Sequence, residues 1–271
     1  MTRHHQPQVQ VSILVPFRPD PNAPHRLRLW NWLQDYWVAE LPYAEVVTAD
    51  SRGEVFSKSA AINRAARRAR GHVYVILDSD VYLPGEVVRY CADEIDWALR
   101  RGHRLWFVPY RGLYRLTEPA TEQVLASDPR WPLRFGSPPP ADMVESTEGS
   151  AHGHRFGAMV QIVPRECFEA VRGWQERFVG WGSEDVVQVR LQDTIWGRHK
   201  TTPNDVLHLW HPRIGSGYAD RMWAGQTSPR GNERLASRYN QATCDPAKMR
   251  GLVAEDVASR GGRRRWPIGR P

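Results

Sequence analysis

One segment, residues 72–84, constrains the fold more than any other part of the chain, because a short apolar run ends there in two carboxylates. Residues 73–77 read Val-Tyr-Val-Ile-Leu, so both faces of an extended segment would be apolar. Such a run is typical of a central strand in a parallel sheet that is covered on both sides. Open α/β sheets bind their ligands at the carboxyl ends of the strands. We therefore expect Asp78 and Asp80 to lie at a ligand site.

Asp78 and Asp80 admit two interpretations. They are two residues apart, so in extended backbone their side chains point to the same side and can share one cation. Aspartates that follow a strand also form turns and cap helices without binding a ligand. The triplet alone leaves both interpretations open, and the other motifs of the chain favour the cation.

The composition is that of a globular protein with an excess of arginine. The chain has 271 residues, 41% of them apolar, and 12 tryptophans, which suffices for a buried core. No apolar run reaches the length of about 18 residues that a membrane span needs, and we expect a cytoplasmic protein. The net charge of +7 comes mainly from arginine, which favours an anionic substrate or partner. An arginine-biased genome would produce the same composition.

Apolar periodicity predicts a βαβαβαβ order in the first half of the chain. The predicted strands are residues 9–17, 44–48, 72–77 and 105–110, and the predicted helices are residues 24–41, 57–70 and 84–101. This order is typical of a doubly wound sheet that binds nucleotides.

The second half of the chain is less regular. Prolines and glycines predict a long irregular connection over residues 128–150. Beyond it we expect strands at 156–163 and 206–211, a short helix from Pro164, and a helix from an N-capping Ser183 to Trp196. We find no internal repeat and no second hydrophobic core, so the expected class is α/β.

Three motifs in this order resemble glycosyltransferases of the GT-A fold that use nucleotide sugars. They are Asp78-Ser-Asp80, Trp181-Gly-Ser-Glu-Asp185 and His208-Leu-Trp-His211. Further matching segments are Val15-Pro-Phe-Arg18, residues 56–65 and Phe156-Gly-Ala158. The sequence most resembles the β-1,4-galactosyltransferase-like family, which is related to polypeptide GalNAc-transferases and bacterial chondroitin-type enzymes. The resemblance implies a GT-A, Rossmann-like mixed sheet flanked by helices in a single domain.

By this resemblance the domain has two halves. Residues 11–110 would bind the nucleotide sugar, and residues 111–245 would bind the metal and the acceptor. Residues 1–10 would form a flexible N-terminus and residues 246–271 a basic C-terminal tail. Residues 215–231 resemble the family's loop that closes over the donor, although an ordinary surface loop has a similar composition.

The resemblance implies a UDP-sugar as the donor substrate. The residues that it assigns to the donor site are Pro16, Phe17, Arg18, Asp50, Lys58, Asn63, Asp78, Trp181 and Gly182. Asp78 would lie near the ribose. Trp181 stands between two glycines and offers an aromatic face on which a sugar ring could stack.

Asp80, His208 and His211 are the expected ligands of a divalent metal. The resemblance implies that Asp80 and His211 hold this metal, Mn²⁺ before others, at the donor diphosphate. A cation there would neutralise charge on the leaving group, and carboxylate with imidazole suits Mn²⁺ better than Ca²⁺. On a regular strand His208 and His211 would face opposite sides. Both can bind one ion only if the chain bends between them.

Glu184 and Asp185 are expected in the first turn of a helix. Acidic residues there interact favourably with the helix dipole and need no chemical role. The resemblance instead implies that Asp185 is the base that takes the proton of the acceptor hydroxyl, with Glu184 hydrogen-bonded to a sugar. The helix N-terminus should lower the pKa of Asp185 and keep it ionised at neutral pH.

The sequence leaves three functions open. The first is a metal-dependent transferase that moves a hexose of the galactose, GalNAc or glucose type from a UDP-sugar to a hydroxyl group, with inversion. Its acceptor would be a glycan, a protein or modified DNA, and no membrane span takes part. The second function has the same fold and retains the anomeric configuration. The third is a basic, nucleic-acid-associated binding module, suggested by the net charge and the arginine-rich C-terminus.

Overall fold

The computed structural model describes residues 10–149, 159–180, 182–212 and 229–261. The strands are β1 (Val11–Pro16), β2 (Glu45–Ala49), β3 (Val73–Leu77), β4 (Val81–Tyr82), β5 (Phe107–Val108), β6 (Gly112–Leu116), β7 (Val144–Gly149), β8 (Val160–Pro164), β9 (Lys200–Thr201) and β10 (Asp205–His208). The helices are α1 (Pro24–Glu40), α2 (Lys58–Ala66), α3 (Gly85–Leu99), α4 (Glu118–Ala126), α5 (Arg165–Ala170), α6 (Glu184–Ile195), α7 (Pro229–Gln241) and α8 (Pro246–Ser259). None of these helices is both long enough and apolar enough to cross a membrane.

A six-stranded sheet in the order β2-β1-β3-β8-β5-β9 forms the centre of the fold. β1 pairs in parallel with β2 and β3, and β5 pairs in parallel with β9. β8 runs antiparallel to both β3 and β5. Helices flank this sheet, with α2 packed against β1 and β2 and with α3 and α5 packed against β8. The predicted α/β class, a mixed sheet flanked by helices, is confirmed.

The strands predicted for the first half of the chain run parallel to one another, but β8 from the second half lies between β3 and β5. All five residues of β8 are buried, and so are all five residues of β3. These two fully buried strands pair with each other at the centre of the sheet. The strand predicted at residues 105–110 is reduced to the two residues of β5.

A four-stranded sheet in the order β4-β10-β6-β7 lies beside the carboxyl end of β3. β10 is antiparallel to β4, with His208 opposite Val81, and parallel to β6. The N–H of Leu209 donates to the carbonyl of Asp80 at 2.8 Å, so this sheet brings His208 to the end of β3. The sequence predicts neither β6 nor β7, and β7 replaces the end of the connection predicted to be irregular at residues 128–150.

Two hydrophobic clusters stabilise the described part of the chain. The larger cluster surrounds the central sheet and contains the fully buried Trp37 and Trp106. The smaller cluster lies between α6, α7 and α8 and contains Phe178, Tyr239 and Met249. The prediction that there is no second hydrophobic core is therefore wrong. α8 also forms the first part of the segment predicted to be a basic tail.

Candidate active site

Asp80 lies at the centre of a cluster that includes two imidazoles. It follows β3 and is buried. Its Oδ1 is 3.7 Å from Nε2 of His208, and its Oδ2 is 3.5 Å from Nε2 of His211. β10 ends at His208, so His211 lies beyond the regular strand and both imidazoles reach the same carboxylate. The chain therefore has the bend that joint binding by both histidines requires.

The side chains of Asp80, His208 and His211 fit a divalent metal. One ligand atom from each lies within 4.8 Å of the others. Burial lowers the pKa of His208, which favours the neutral imidazole that binds metals. Burial would raise the pKa of Asp80, but His208, Arg26 and His211 outweigh burial and lower it. An ionised carboxylate with two imidazoles suits first-row transition metals, including Mn²⁺.

Two residues of the first turn of α1 also reach this cluster, and neither is among the residues predicted from the sequence. Nη2 of Arg26 is 3.3 Å from Oδ2 of Asp80. The ring of His25 stacks on that of His211, with centroids 6.2 Å apart and an interplanar angle of 20°. The available signal was Pro24, because a helix start directly after β1 places the next side chains at the carboxyl edge of the sheet.

A second cluster forms around Lys58, the first residue of α2. Its Nζ is 2.7 Å from Oδ1 of Asp78 and 2.7 Å from Oδ1 of Asp185. The ring of Trp174 lies near the same ammonium, 5.7 Å from Nζ to the ring centroid. These four residues line one narrow cleft. Two predicted donor residues, Lys58 and Asp78, thus meet the predicted base.

The ionisation of this second cluster reflects its burial. Burial would lower the pKa of Lys58, but Asp185 and Asp78 outweigh burial and raise it. Burial raises the pKa of Asp185 to about 7, and Glu184 and Asp78 act in the same direction while Lys58 opposes them. Burial also raises the pKa of Glu184. The prediction that the helix N-terminus lowers the pKa of Asp185 is therefore wrong, because the loss of water outweighs the helix dipole.

The backbone before α6 orients the two acidic residues. Ser183 stands at the N-cap position but has a φ of 72° and makes no capping hydrogen bond with its side chain, so the predicted Ser183 cap is wrong. This left-handed conformation differs from the extended one in which a hydroxyl reaches the first helical N–H groups. The N–H of Gly182 instead donates to Oε2 of Glu184 at 2.9 Å. The side chain of Glu184 is thereby held at the start of α6.

The residues predicted to form the donor loops after β1 and β2 are held largely by one another. Pro16 ends β1, and Phe17 is buried with its ring 6.1 Å from that of Trp30. Nε of Arg18 donates to Oδ1 of Asp50 at 2.8 Å. The other guanidinium nitrogens of Arg18 donate to the carbonyls of Ser51, Gly53 and Glu54. Arg18 therefore shapes the loop after β2, and the half-exposed Asp50 remains on its surface.

Asn63 does not have the exposure that the predicted contact with the donor needs, because it is fully buried. Its Nδ2 donates to the carbonyl of Trp174 at 2.8 Å and to Oε1 of Glu176 at 2.9 Å. Its Oδ1 accepts from the N–H of Trp174 at 2.8 Å. Asn63 thus fixes the turn of Trp174 to α2, which corrects the predicted role in binding.

Some predicted parts of the site lie outside the described residues. These are Trp181, the Phe156-Gly-Ala158 segment and residues 215–228 of the predicted closing loop. The last three residues of that predicted loop, 229–231, form the start of α7 instead.

The sequence matches no known protein family and no curated protein. Solved structures with some likeness include Drosophila β1,4-galactosyltransferase 7 in complex with xylobiose, with a TM-score of 0.36, 14% identity, and coverage of 72% of this chain and 64% of that chain. This chain thus spans less than two thirds of that enzyme's length.

Two bacterial structures also have some likeness to this chain. Glucosyl-3-phosphoglycerate synthase from Mycobacterium tuberculosis, in complex with Mn²⁺, UDP-glucose and phosphoglyceric acid, has a TM-score of 0.46 and 12% identity, and the match covers 87% of this chain and 79% of that chain. S. aureus TarS in complex with UDP-GlcNAc has a TM-score of 0.44 and 13% identity, and the match covers 94% of this chain and 73% of that chain. At these TM-scores the likeness assigns no function to this chain.

Proposed function

We propose that this protein is a metal-dependent glycosyltransferase that moves a hexose from a UDP-sugar to an acceptor hydroxyl, with inversion at the anomeric carbon. One observation carries the proposal. At the end of β3, Asp80 and two imidazoles form a cluster of the kind that binds a metal. The neighbouring Asp78 pairs with Lys58, which also pairs with the carboxylate of Asp185. Transfer from a nucleoside diphosphate sugar needs a cation for the leaving group and a base for the acceptor, and these residues have the chemistry for both tasks.

The chain's own residues have distinct tasks in this reaction. Asp80, His208 and His211 would hold the metal, which when bound supplies positive charge to the diphosphate. Asp185 takes the proton of the acceptor hydroxyl as the oxygen forms a bond to the anomeric carbon. The bond from that carbon to the diphosphate oxygen breaks in the same step, and UDP leaves. Direct attack of this kind inverts the anomeric configuration.

Donor turnover with analysis of the product tests the proposal. UDP-glucose, UDP-galactose, UDP-GlcNAc and UDP-GalNAc are each incubated with Mn²⁺ and a panel of mono- and disaccharides, and UDP release is measured. We expect release with at least one donor and a product of inverted configuration by NMR. Retained configuration would favour the second transferase mechanism. No release with any donor would contradict the proposed activity.

A basic surface supports the alternative function in nucleic-acid binding. We name it the basic edge, and its exposed members are Arg100, Arg101, His103, Arg104, Arg198 and Lys200. The guanidinium of Arg101 lies 4.3 Å from the centroid of the Trp97 ring, and that of Arg104 lies 5.1 Å from that of Trp196. The basic edge lies at the amino ends of β5 and β9, whereas Asp78 follows the carboxyl end of β3, which runs parallel to them.

The two functions make different predictions for one variant. A nucleic-acid-binding module would bind single-stranded nucleic acid in a salt-sensitive way. This binding would survive Asp80→Asn, because the basic edge and Asp80 lie at opposite ends of parallel strands. A glycosyltransferase would lose UDP-sugar turnover in the same variant.

A further inference from the structure

The ammonium group of Lys58 lies between two carboxylates and an aromatic ring. Its side chain is only 13% exposed. Nζ is 2.7 Å from a carboxylate oxygen of Asp78 and 2.7 Å from one of Asp185, and the ring of Trp174 lies 5.7 Å away. An ammonium has three donors. Two carboxylate oxygens and an aromatic face surround this ammonium, so a phosphate of the donor would have to compete with Asp78 and Asp185 for it.

The backbone that carries Lys58 is tied to the segment that leads into α6. The hydroxyl of Ser57 caps α2 by accepting from the N–H of Ala60 and itself donates to the carbonyl of Phe178 at 3.1 Å. The N–H of Gly180 donates to the carbonyl of Phe56 at 3.2 Å. These hydrogen bonds hold the starts of α2 and α6 together, and the ion pair between Lys58 and Asp185 joins the two helices.

The negative charges around Lys58 outnumber the positive one, because three carboxylates interact with a single ammonium group. Asp78, Glu184 and Asp185 are the acidic groups that interact with Lys58. The carboxylate of Asp80 has other basic partners, which are Arg26, His208 and His211. Without Lys58, the charged groups that act on Asp185 from the described residues would be Glu184 and Asp78, and like charges in a buried site disfavour ionisation.

We propose that Lys58 is a positioning residue that holds the Asp185 carboxylate in place and ionised for proton abstraction, and that it does not bind the donor. This inference rests on the proposed transferase function. It reassigns Lys58 from the donor-binding role that the sequence predicts to a role that acts through Asp185. Because Asp78 shares the same ammonium, the base is also fixed relative to the end of β3.

The test separates binding from turnover in Lys58→Met, which keeps the length of the side chain and removes its charge. Isothermal titration gives the Kd for UDP in the presence of Mn²⁺, and UDP release from the best wild-type donor gives kcat as a function of pH. We expect a Kd within threefold of wild type and a kcat at least 100-fold lower. The acid limb of the kcat profile should move to higher pH, and Lys58→Arg should recover part of the activity.

A second comparison shows whether Lys58 acts through Asp185. In Asp185→Asn the carboxylate that Lys58 positions is already absent, so adding Lys58→Met should reduce kcat by less than threefold more. The matched control is Lys248→Met, because Lys248 is an exposed lysine that pairs with Asp245 at the start of α8. This control should leave the Kd and kcat unchanged.

The outcomes distinguish this inference from the proposed function. A Kd for UDP raised tenfold or more in Lys58→Met with an unchanged kcat would show that Lys58 binds the donor and would overturn the inference. A further large loss in the double variant would also overturn it, because Lys58 would then act independently of Asp185. If the wild-type protein neither binds UDP nor releases it from any donor, the proposed function itself fails, and the inference fails with it.

Discussion

At the residue scale, Asp185 shows how burial decides the chemistry of the site. Acidic residues at helix starts are common because the dipole stabilises their charge, and by that rule Asp185 would be a weak base. Its burial beside Glu184 and Asp78 raises its pKa to about 7, even though Lys58 is 2.7 Å away. A carboxylate with a pKa near neutrality takes a proton more readily than an exposed one.

The pKa of Asp185 predicts the pH dependence of transfer. The base must be ionised, so kcat/KM should rise with pH and reach half of its maximum near pH 7, the value given by the pKa of about 7. Asp185→Asn should lower kcat by about 10²–10⁴-fold and leave the Kd for UDP unchanged. The exposed Asp142→Asn serves as the control. A rate that is constant between pH 5 and 8 would contradict the assignment of Asp185 as the base.

Asn63 is a second residue whose effect can be predicted, but it contributes to the stability of the fold. Asn63→Ala leaves the N–H and carbonyl of Trp174 without their partners in a buried place, and each such group costs about 1–3 kcal/mol. We expect the melting temperature to fall by several degrees. The exposed Asn22→Ala should have a melting temperature close to that of wild type. If Asn63→Ala were as stable as wild type and failed only to bind UDP, the predicted role in donor binding would be restored.

At the scale of elements, the start of α6 depends on backbone conformations that few residues adopt. Gly182 has a φ of +117° and Ser183 a φ of 72°, and these turns bring Glu184 and Asp185 to α2. β10 contributes in a similar way, because it ends at His208 and so leaves His211 free to turn back to Asp80. The proposed metal ligands and the proposed base thus stand where a regular element begins or ends.

A pair of glycine variants tests the element that carries Asp185. A Cβ at Gly182 would meet no atom within 4 Å, so the cost of Gly182→Ala comes from its φ of +117° alone, and we expect a loss of about 1–2 kcal/mol. Gly251 lies inside α8, and a Cβ there would also meet no atom within 4 Å. Because alanine favours the helix over glycine, Gly251→Ala should stabilise the protein by up to about 1 kcal/mol. Thermal unfolding should therefore shift in opposite directions. A shift of the same sign in both would contradict the strain at Gly182.

At the scale of the whole molecule, α6 connects the two hydrophobic clusters. Val189 of this helix belongs to the cluster around the central sheet, and Val187 belongs to the cluster with α7 and α8. The C-terminal helices therefore support the helix that carries Asp185. Residues far from the cleft should influence the site through this packing.

Met249 tests the contribution of α8 to the whole fold. It is fully buried, and Met249→Ala should destabilise the protein by about 2–5 kcal/mol, because a cavity remains. The adjacent Lys248 is largely exposed, so Lys248→Ala should stay within about 0.5 kcal/mol of wild type. Urea unfolding should show one transition in both variants. A separate early transition in Met249→Ala would show that the smaller cluster unfolds independently.

The sequence predicted the parts of the fold whose periodicity is strong and local. β1, α1, β3, α3 and α6 lie close to their predicted positions, because each has a regular apolar pattern bounded by proline, glycine or acidic residues. The insertion of β8 between β3 and β5 is a pairing between distant segments, which no local pattern encodes. α7 was not predicted because its apolar residues are few and lie among charged ones. α8 was not predicted, although half of its residues are apolar, because the arginine-rich segment after it made the whole region read as a basic tail.

The site was predictable to a similar extent. The motifs indicated Asp80, His208 and His211, which the structure brings together. They did not include Arg26 or His25, for which the one signal was the helix start at Pro24 after β1. They also placed Asn63 in the donor site although it is fully buried, since a motif reports which residues recur together and not which of them are buried. Burial is also what reverses the expected shift in the pKa of Asp185.

The most direct test of the account is the melting temperature with UDP, with Mn²⁺ and with both, in wild type and Asp80→Asn. Ligand at 100 times its Kd adds about 2.7 kcal/mol to stability, which is a shift of several degrees for a domain of this size. The account predicts that wild type shifts strongly only when metal and nucleotide are present together and that Asp80→Asn does not shift. An equal shift in Asp80→Asn, or none in wild type, would contradict a metal-dependent donor site at Asp80.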